Sequence, residues 1–475
     1  MRLHNTLSGR VEAFVPLHPG EVRLYHCGPT VYSRPHIGNY RAYMMADLLR
    51  RTFEYLGWRT LQVMNITDVG HLTEDEAADA SGEDKLEKAA RGRKLDPWQI
   101  AREVEGWFHE DLALLRILPA HHYPRATEHI PEMIAQIETL VAKGHAYAVE
   151  GNVYFAVRSF GDYGKLSGNT LDKLEAGARV EVRGEKRDPH DFALWKRDEK
   201  HIMQWDSPWG RGFPGWHIEC SAMSMKYLGE TFDLHTGGPD NRFPHHECEI
   251  AQAEGATGKP FVRFWVHNAF LEIGGKKMAK RAGALFTIPE LVALGYRGPD
   301  IRAALLQPLY RSPIQFDLEV LDAARSGRTR LDNFVNHEMP ARPPGPRKPE
   351  ASAAVSTARD LFRAALENDL NTPEAFAAVH AMVTALNRLG VNRPDAEDAV
   401  AAMRDFDRVL AILDAPPTGF APDPGVEALL AEREAARKAR DFTRSDALRD
   451  ELARRGIEIL DTPQGTRWKR TGGHP

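Results

Sequence analysis

One stretch constrains the fold more than any other: EVRLYHCGPTVYSRPHIGN, residues 21–39. Val22 to His26 reads as a buried strand, Cys27-Gly28-Pro29-Thr30 as a tight loop, and the chain from Pro35 as the first turn of a helix. Gly28 and Gly38 admit close backbone approach, and Pro35 suits the first helical position. His36 and Asn39 stand three apart, so both can face one bound group. A helix N-terminus beside a strand's carboxyl end offers free N–H groups and a favourable dipole to an anion. Cys27 adds a thiolate metal ligand at the same strand end. RTLQVMN at 59–65 reads as a second strand flanking a helix over 36–56, a βαβ unit that implies a parallel sheet.

The sheet resumes at TFDLH, 231–235, followed by Thr236-Gly237-Gly238-Pro239-Asp240, a helix PHHECEIAQAEGA and another strand at 263–268. Ligands of such sheets sit at the carboxyl ends of the strands. Between the two halves, 97–145 reads as two amphipathic helices, and 146–215 as inserted mixed material with short strands NVYFAV and ARVEVR. The acidic stretch 71–95 reads as a solvated insertion. A hairpin around Gly274-Gly275 leads to KKMAKRAG. Beyond 290 the pattern is helical, with helices near 351–369 and 373–389, the second capped by Thr372. Two Pro/Gly-rich linkers, 341–350 and 414–425, punctuate this half. The end reads as a helical run 426–455, a strand IEIL, a turn and TRWKR.

The fold class is therefore α/β: a Rossmann-like parallel-sheet catalytic domain with an inserted connective region, then an α-helical bundle and a small mixed C-terminal module. The expected bounds are 1–315 for the first (insertion about 120–205, lysine loop 277–281), 316–415 for the second and 425–475 for the third. The 475 residues suit about three domains. A net charge of −5 gives no global basic field, so nucleic-acid contacts must be local. Neither a signal peptide nor 18 consecutive apolar residues is evident, and three cysteines are too few for a disulfide framework. The expectation is a soluble, cytoplasmic protein.

Cys27, Cys220, His245 and Glu249 form a candidate zinc set. Cys27 and Cys220 are each expected at a strand end, and His245 and Glu249 are four apart on one helical face. Cys248, three after His245, competes with Glu249 for the fourth place. For a nucleotide, three pieces occur in order: His36-Ile37-Gly38-Asn39 at a helix start, Gly238 and Asp240 for base and ribose, and Lys277 and Lys280 on a glycine-hinged loop.

Together these residues resemble cysteinyl-tRNA synthetase, a class I aminoacyl-tRNA synthetase. The resemblance runs nearly end to end, through CGPTVYSRPHIGN, NITDVG, GWHIECSAM, FPHHECEIAQ, KMAKR, LNTPEAF and ARDFTRSDALRDEL…GIEILDTPQGTRW. It implies zinc on Cys27, Cys220, His245 and Glu249, which favours Glu249 over Cys248. It implies charge stabilisation by His36, Asn39, Lys277 and Lys280, and ATP held by Gly38, Gly238, Asp240 and Lys280. It places the amino acid at Gly28, Thr30, Thr67 and Trp216. Three positions depart from the family: Asn39 stands for a histidine, KMAKR for KMSKS, and TGGPD for GGGSD.

The activity implied is ATP-dependent ligation of L-cysteine to tRNA(Cys) through a cysteinyl-adenylate, with Mg²⁺ on the ATP and one zinc per chain. Catalysis is then mainly placement and charge stabilisation. Zinc selects the substrate: ionising a free thiol at pH 7 costs ~2 kcal/mol, an alcohol ~12. That gap exceeds the roughly 1–3 kcal/mol per group of an apolar pocket, so no editing domain is expected. The helical bundle and the anticodon-binding C-terminal module should meet the RNA, with Trp468 flanked by Arg467 and Lys469 as a stacking surface. We expect a monomer and no membrane partner. Two other readings stay open on the residues: a cysteine ligase acting on a small amine, of the mycothiol-pathway type, and a non-enzymatic zinc and RNA-binding pseudo-synthetase.

Overall fold

The computed structural model describes residues 1–70, 72–74, 81–171, 173, 185–273, 276–277, 286–415, 424–455, 457–462 and 465–470. The chain divides into two units, Met1–Leu413 and Asp414–Pro475, each described by itself.

The first unit is built on four parallel strands. Strand β1 (Glu21–His26) leads through helix α1 (Ile37–Tyr55) to β2 (Arg59–Met64). Much later, helix α2 (Trp216–Leu228) precedes β3 (Phe232–Gly237), which leads through helix α3 (His245–Thr257) to β4 (Val262–His267). The spatial order is β4-β3-β1-β2, all neighbours parallel. β3 is buried along its whole length and the last three residues of β1 are too, as expected for a sheet covered on both faces. The two crossovers run to opposite sides from the central β3–β1 pair. That pair is the topological switch point, where the carboxyl ends open a crevice.

Several sequence expectations shift. Gly237, expected in the turn, is the last residue of β3. Cys220, expected at a strand end, lies inside α2, whose start at Gly215 has no side-chain cap to announce it. Asn371, not Thr372, caps the helix Thr372–Leu389: its Oδ1 accepts from the Glu374 N–H at 3.2 Å, while Thr372 is buried as the first helical residue. The run 426–455 is two helices, Pro424–Lys438 and Phe442–Arg454, broken at Arg440, which takes a positive φ.

The inserted material is a four-stranded antiparallel sheet, Phe213–Pro214, Phe192–Lys196, Asn152–Phe155 and Ala146–Val149 in spatial order. It follows the helices Pro97–Leu114 and Ile130–Ala142. The expected strand ARVEVR lies outside the described residues. The acidic stretch supplies a short hairpin, Leu72–Glu74 with Ser81–Asp84, and a helix Lys85–Arg93. Four helices close the unit: Leu318–Asn333, Pro349–Glu367, Thr372–Leu389 and Arg393–Leu410.

The second unit packs Val426, Leu452 and Ile457 into a small core beneath the antiparallel hairpin Ile457–Thr462 and Gly465–Arg470. Arg467, Trp468 and Lys469 fall on the second strand of that hairpin. Among the described residues, no helix is long and apolar enough to cross a membrane.

Candidate active site

A cavity of about 350 Å³ opens at the carboxyl ends of β1 and β3. Its lining includes Cys27, Gly28, Thr30, His36, Gly38, Asn39, Thr67, Trp216, Cys220, Gly238, Asp240 and His245. The sequence-derived site residues therefore converge, from five separate stretches, on one crevice. Glu249 lies just behind the wall, fully buried. Lys277 lies on the strand Lys276–Lys277 of the neighbouring hairpin, and Lys280 lies outside the described residues.

At one end of the cavity, Cys27, Cys220, His245 and Glu249 each offer a ligand atom, all within 4.8 Å of one another and all buried. Cys27 is the first residue after β1, Cys220 is in the second turn of α2, and His245 and Glu249 are one turn apart on α3. Cys248 points elsewhere. Its sulfur lies 3.5 Å from Tyr163 Oη, in the main apolar core. Of the two residues that compete in the sequence, Glu249 is the one inside the close-set group.

Outer contacts orient these groups. Glu249 Oε1 lies 3.1 Å from His245 Nε2, and the Cys27 thiol donates to it at 3.7 Å. Its other oxygen, Oε2, accepts from His235 Nε2 at 2.9 Å. His245 Nδ1 lies 2.9 Å from His217 Nδ1, so one of the two rings donates and the other accepts. Trp216 stacks on His245 with centroids 4.5 Å apart. Sequence reading did not single out His235 or His246. Both share a second close-set group with Cys27 and Glu249. His235 and His246 are not among the residues that line the cavity, whereas Cys27, Cys220 and His245 are. The local signals were the His in TFDLH and the doubled His in FPHHEC; their convergence is tertiary.

The electrostatics of the cluster favour a cation. Burial first, then Cys220 and Glu249, push the Cys27 thiol well above its ordinary value, and burial raises that of Cys220. Burial, with His235 next, lowers His26 and His267 to about 3, and takes His246 well down as well. The surroundings are thus neutral imidazoles around thiols that ionise only beside a positive charge. A dication inverts this, because a coordinated thiol is deprotonated outright. Two sulfurs, an imidazole and a carboxylate in this compact set fit zinc.

At the other end, the N-terminus of α1 faces the cavity. Asn39 Oδ1 accepts from the His36 N–H at 3.0 Å. The departure from histidine thereby gains a local role: the amide caps its own helix with its oxygen, while its NH₂ group keeps donor capacity. Opposite, Asn241 Oδ1 accepts from Gly238 N–H at 2.9 Å and fixes the loop that carries Asp240. Gly28 is required for a different reason than ligand approach. A Cβ there would collide with the carbonyl oxygen of Asn65, and the Gly28 N–H donates to Asn65 Oδ1 at 2.8 Å. Thr67 lines the wall with its hydroxyl committed, donating to Glu219 and accepting from Asn65, each at 3.0 Å.

A family profile described as "tRNA synthetases class I (C) catalytic domain" matches residues 13–326, which with the parallel sheet and its crevice defines a class I aminoacyl-tRNA synthetase. A DALR domain profile matches 361–414, and a cysteinyl-tRNA ligase anticodon-binding domain profile matches 422–468. The fold is similar to that of Mycobacterium tuberculosis methionyl-tRNA synthetase in complex with methionyl-adenylate, with a TM-score of 0.58 at 14% identity, covering 82% of this chain and 90% of that one. In sequence the chain is 45% identical to a cysteine-tRNA ligase of Thermus thermophilus, with 98% of each covered. It is 44% identical to one from Chlorobium chlorochromatii, with 99% and 100% covered. The chain belongs to the cysteine-tRNA ligase family.

Proposed function

We propose that the crevice activates L-cysteine with Mg²⁺-ATP as cysteinyl-adenylate and passes it to the terminal ribose of tRNA(Cys), in the cytoplasm. One observation carries this reading: a helix N-terminus, the loop with Asp240, and a thiol–imidazole–carboxylate cluster meet at a single cavity within one chain. Cys27, Cys220, His245 and Glu249 would hold zinc. When bound there, zinc supplies a Lewis acid that accepts the substrate sulfur as thiolate.

The chain's own residues do the rest. The positive end of the α1 dipole receives phosphate oxygens, with His36 and the Asn39 amide beside it. Lys277 and Lys280 add charge as the α-phosphate is attacked and pyrophosphate leaves. Gly38 and Gly238 leave room for the nucleotide, and Asp240 accepts from its ribose hydroxyls. Gly28, Thr30 and Trp216 bound the amino acid, with Thr67 shaping the wall rather than donating its committed hydroxyl. No protein nucleophile is needed, so the rate comes from placement.

The domain bounds 1–315, 316–415 and 425–475 give the work a division: activation in the first, RNA contact in the other two. Trp468, flanked by Arg467 and Lys469, would stack on an anticodon base. The anticodon-binding profile at 422–468 favours tRNA over a small amine as acceptor.

Cysteine-dependent ATP–pyrophosphate exchange, followed by charging of tRNA(Cys), tests the reading. Serine should support exchange at less than roughly a two-hundredth of the cysteine rate, beyond what an apolar pocket provides. Serine approaching cysteine, or no exchange with either, would defeat it.

A further inference from the structure

We propose that Arg41 is a positioning residue for adenylate formation, locking the pocket wall and the foot of the lysine strand to the helix that begins at His36. The inference rests on reading the crevice as the site of cysteine activation.

Arg41 sits in the second turn of α1 and is 3% exposed. Its guanidinium donates to four backbone carbonyls on two separate segments. Nη1 serves Ala269 O at 2.7 Å and Phe270 O; Nη2 serves Tyr310 O at 3.1 Å and Ser312 O. Burial lowers its pKa to about 10, so it stays cationic at neutral pH. No carboxylate partners it in these contacts; its positive charge is spent on carbonyl dipoles.

What those carbonyls belong to gives the clamp its meaning. Ala269 and Phe270 line the cavity, and the chain continues at once into the strand Leu271–Ile273. That strand pairs antiparallel with Lys276–Lys277 (Glu272 opposite Lys277) and parallel with Ile314–Gln315 (Leu271 opposite Ile314). Tyr310 and Ser312 lead into Ile314. One side chain on α1 therefore grips the segments that lead into the other two strands of the sheet carrying Lys277. The return of the chain is tied to the same helix: Ile37 N–H donates to Phe286 O at 2.8 Å, and His36 bridges to Thr287. Both ends of the lysine-bearing segment are thus referenced to the start of α1, where the phosphates are expected. A planar fork with five donors suits four carbonyls on two segments; an ammonium with three donors does not.

Arg41→Gln and Arg41→Lys test this against Arg51→Gln, a clamp on the same helix. Arg51 pairs with Asp47 and holds the carbonyls of Arg116 and Arg408, none of which line the cavity. Both Arg41 variants should lower kcat for pyrophosphate exchange about a hundredfold, the scale of an ångström of misplacement. The KM for ATP should rise while that for cysteine stays within twofold. Arg51→Gln should lower Tm without that split. Equal changes in both KM values, an unchanged kcat, or failure of both Arg41 variants to fold would overturn the positioning role. A wild-type protein inactive in exchange would instead defeat the reading of the crevice itself.

Discussion

Cys220→Ala should empty the metal cluster and lower cysteine-dependent pyrophosphate exchange by roughly a thousandfold, the upper range for removing one preorganised electrostatic group. Cys220 is buried within α2 and supplies one of the two sulfurs of the close-set group with Glu249 and His245. Loss of an outer-shell partner already costs about 10–100-fold in metal affinity, so loss of a ligand should exceed that. The matched control is Cys248→Ala. Its sulfur packs against Tyr163 in the apolar core, so it should cost a little stability and no metal. Metal content by elemental analysis, read beside exchange rates, checks both. Full metal in Cys220→Ala, or loss of metal in Cys248→Ala, would move the ligand set.

The second large effect concerns stability. Asp47→Ala should destabilise the first unit by about 3–5 kcal/mol, because it leaves buried guanidinium groups without their counter-charge. Asp47 and Arg302 are wholly buried side chains, with Arg302 Nη2 2.6 Å from Asp47 Oδ2. Arg51 Nε reaches the same oxygen at 2.8 Å, and Leu118 N–H donates to the other at 2.8 Å. Burial lowers the Arg302 pKa and Asp47 opposes that shift, so removing Asp47 removes the main compensation. Arg302 also donates to Val409 and Leu410 carbonyls at the end of the helix Arg393–Leu410. The node thus joins α1 to the last helix of the unit. Against a typical total of about 5–15 kcal/mol, a thermal midpoint lower by roughly 10 °C is expected. Adding Arg302→Met should recover part of the loss by removing the stranded charge, but not all, since the carbonyls of Leu115, Arg116, Val409 and Leu410 lose their donor. A midpoint within 2 °C of wild type in Asp47→Ala would contradict this account of the node.

Much of this architecture was legible because local text and tertiary role agree. EVRLYH followed by a glycine-proline loop and Pro35 announces a strand, a turn and a helix start, and the cavity is where those three meet. His245 and Glu249 were readable as a pair because helical geometry alone places them together. Cys220 was assigned to the right cluster but the wrong element. The helix that carries it starts at a glycine with no Ser, Thr, Asp or Asn to mark it. Thr372 and Asn371 are both good caps by composition, and only the backbone decides between them. The break at Arg440 has no glycine or proline at the site; Asp441 caps the following helix by accepting from the Arg444 N–H at 2.9 Å. His235 and Arg41 were invisible as site residues because each acts through partners distant in sequence. His246 stands three before Glu249 on α3, a helical spacing that went unread.

The central claim is that the substrate's sulfur joins a metal held by Cys27, Cys220, His245 and Glu249. Cobalt(II) in place of zinc gives that site a visible spectrum. Adding L-cysteine to the cobalt protein should strengthen its sulfur-to-metal charge-transfer band, and equal L-serine should leave the spectrum unchanged. A spectrum indifferent to cysteine, or altered alike by both amino acids, would contradict the claim.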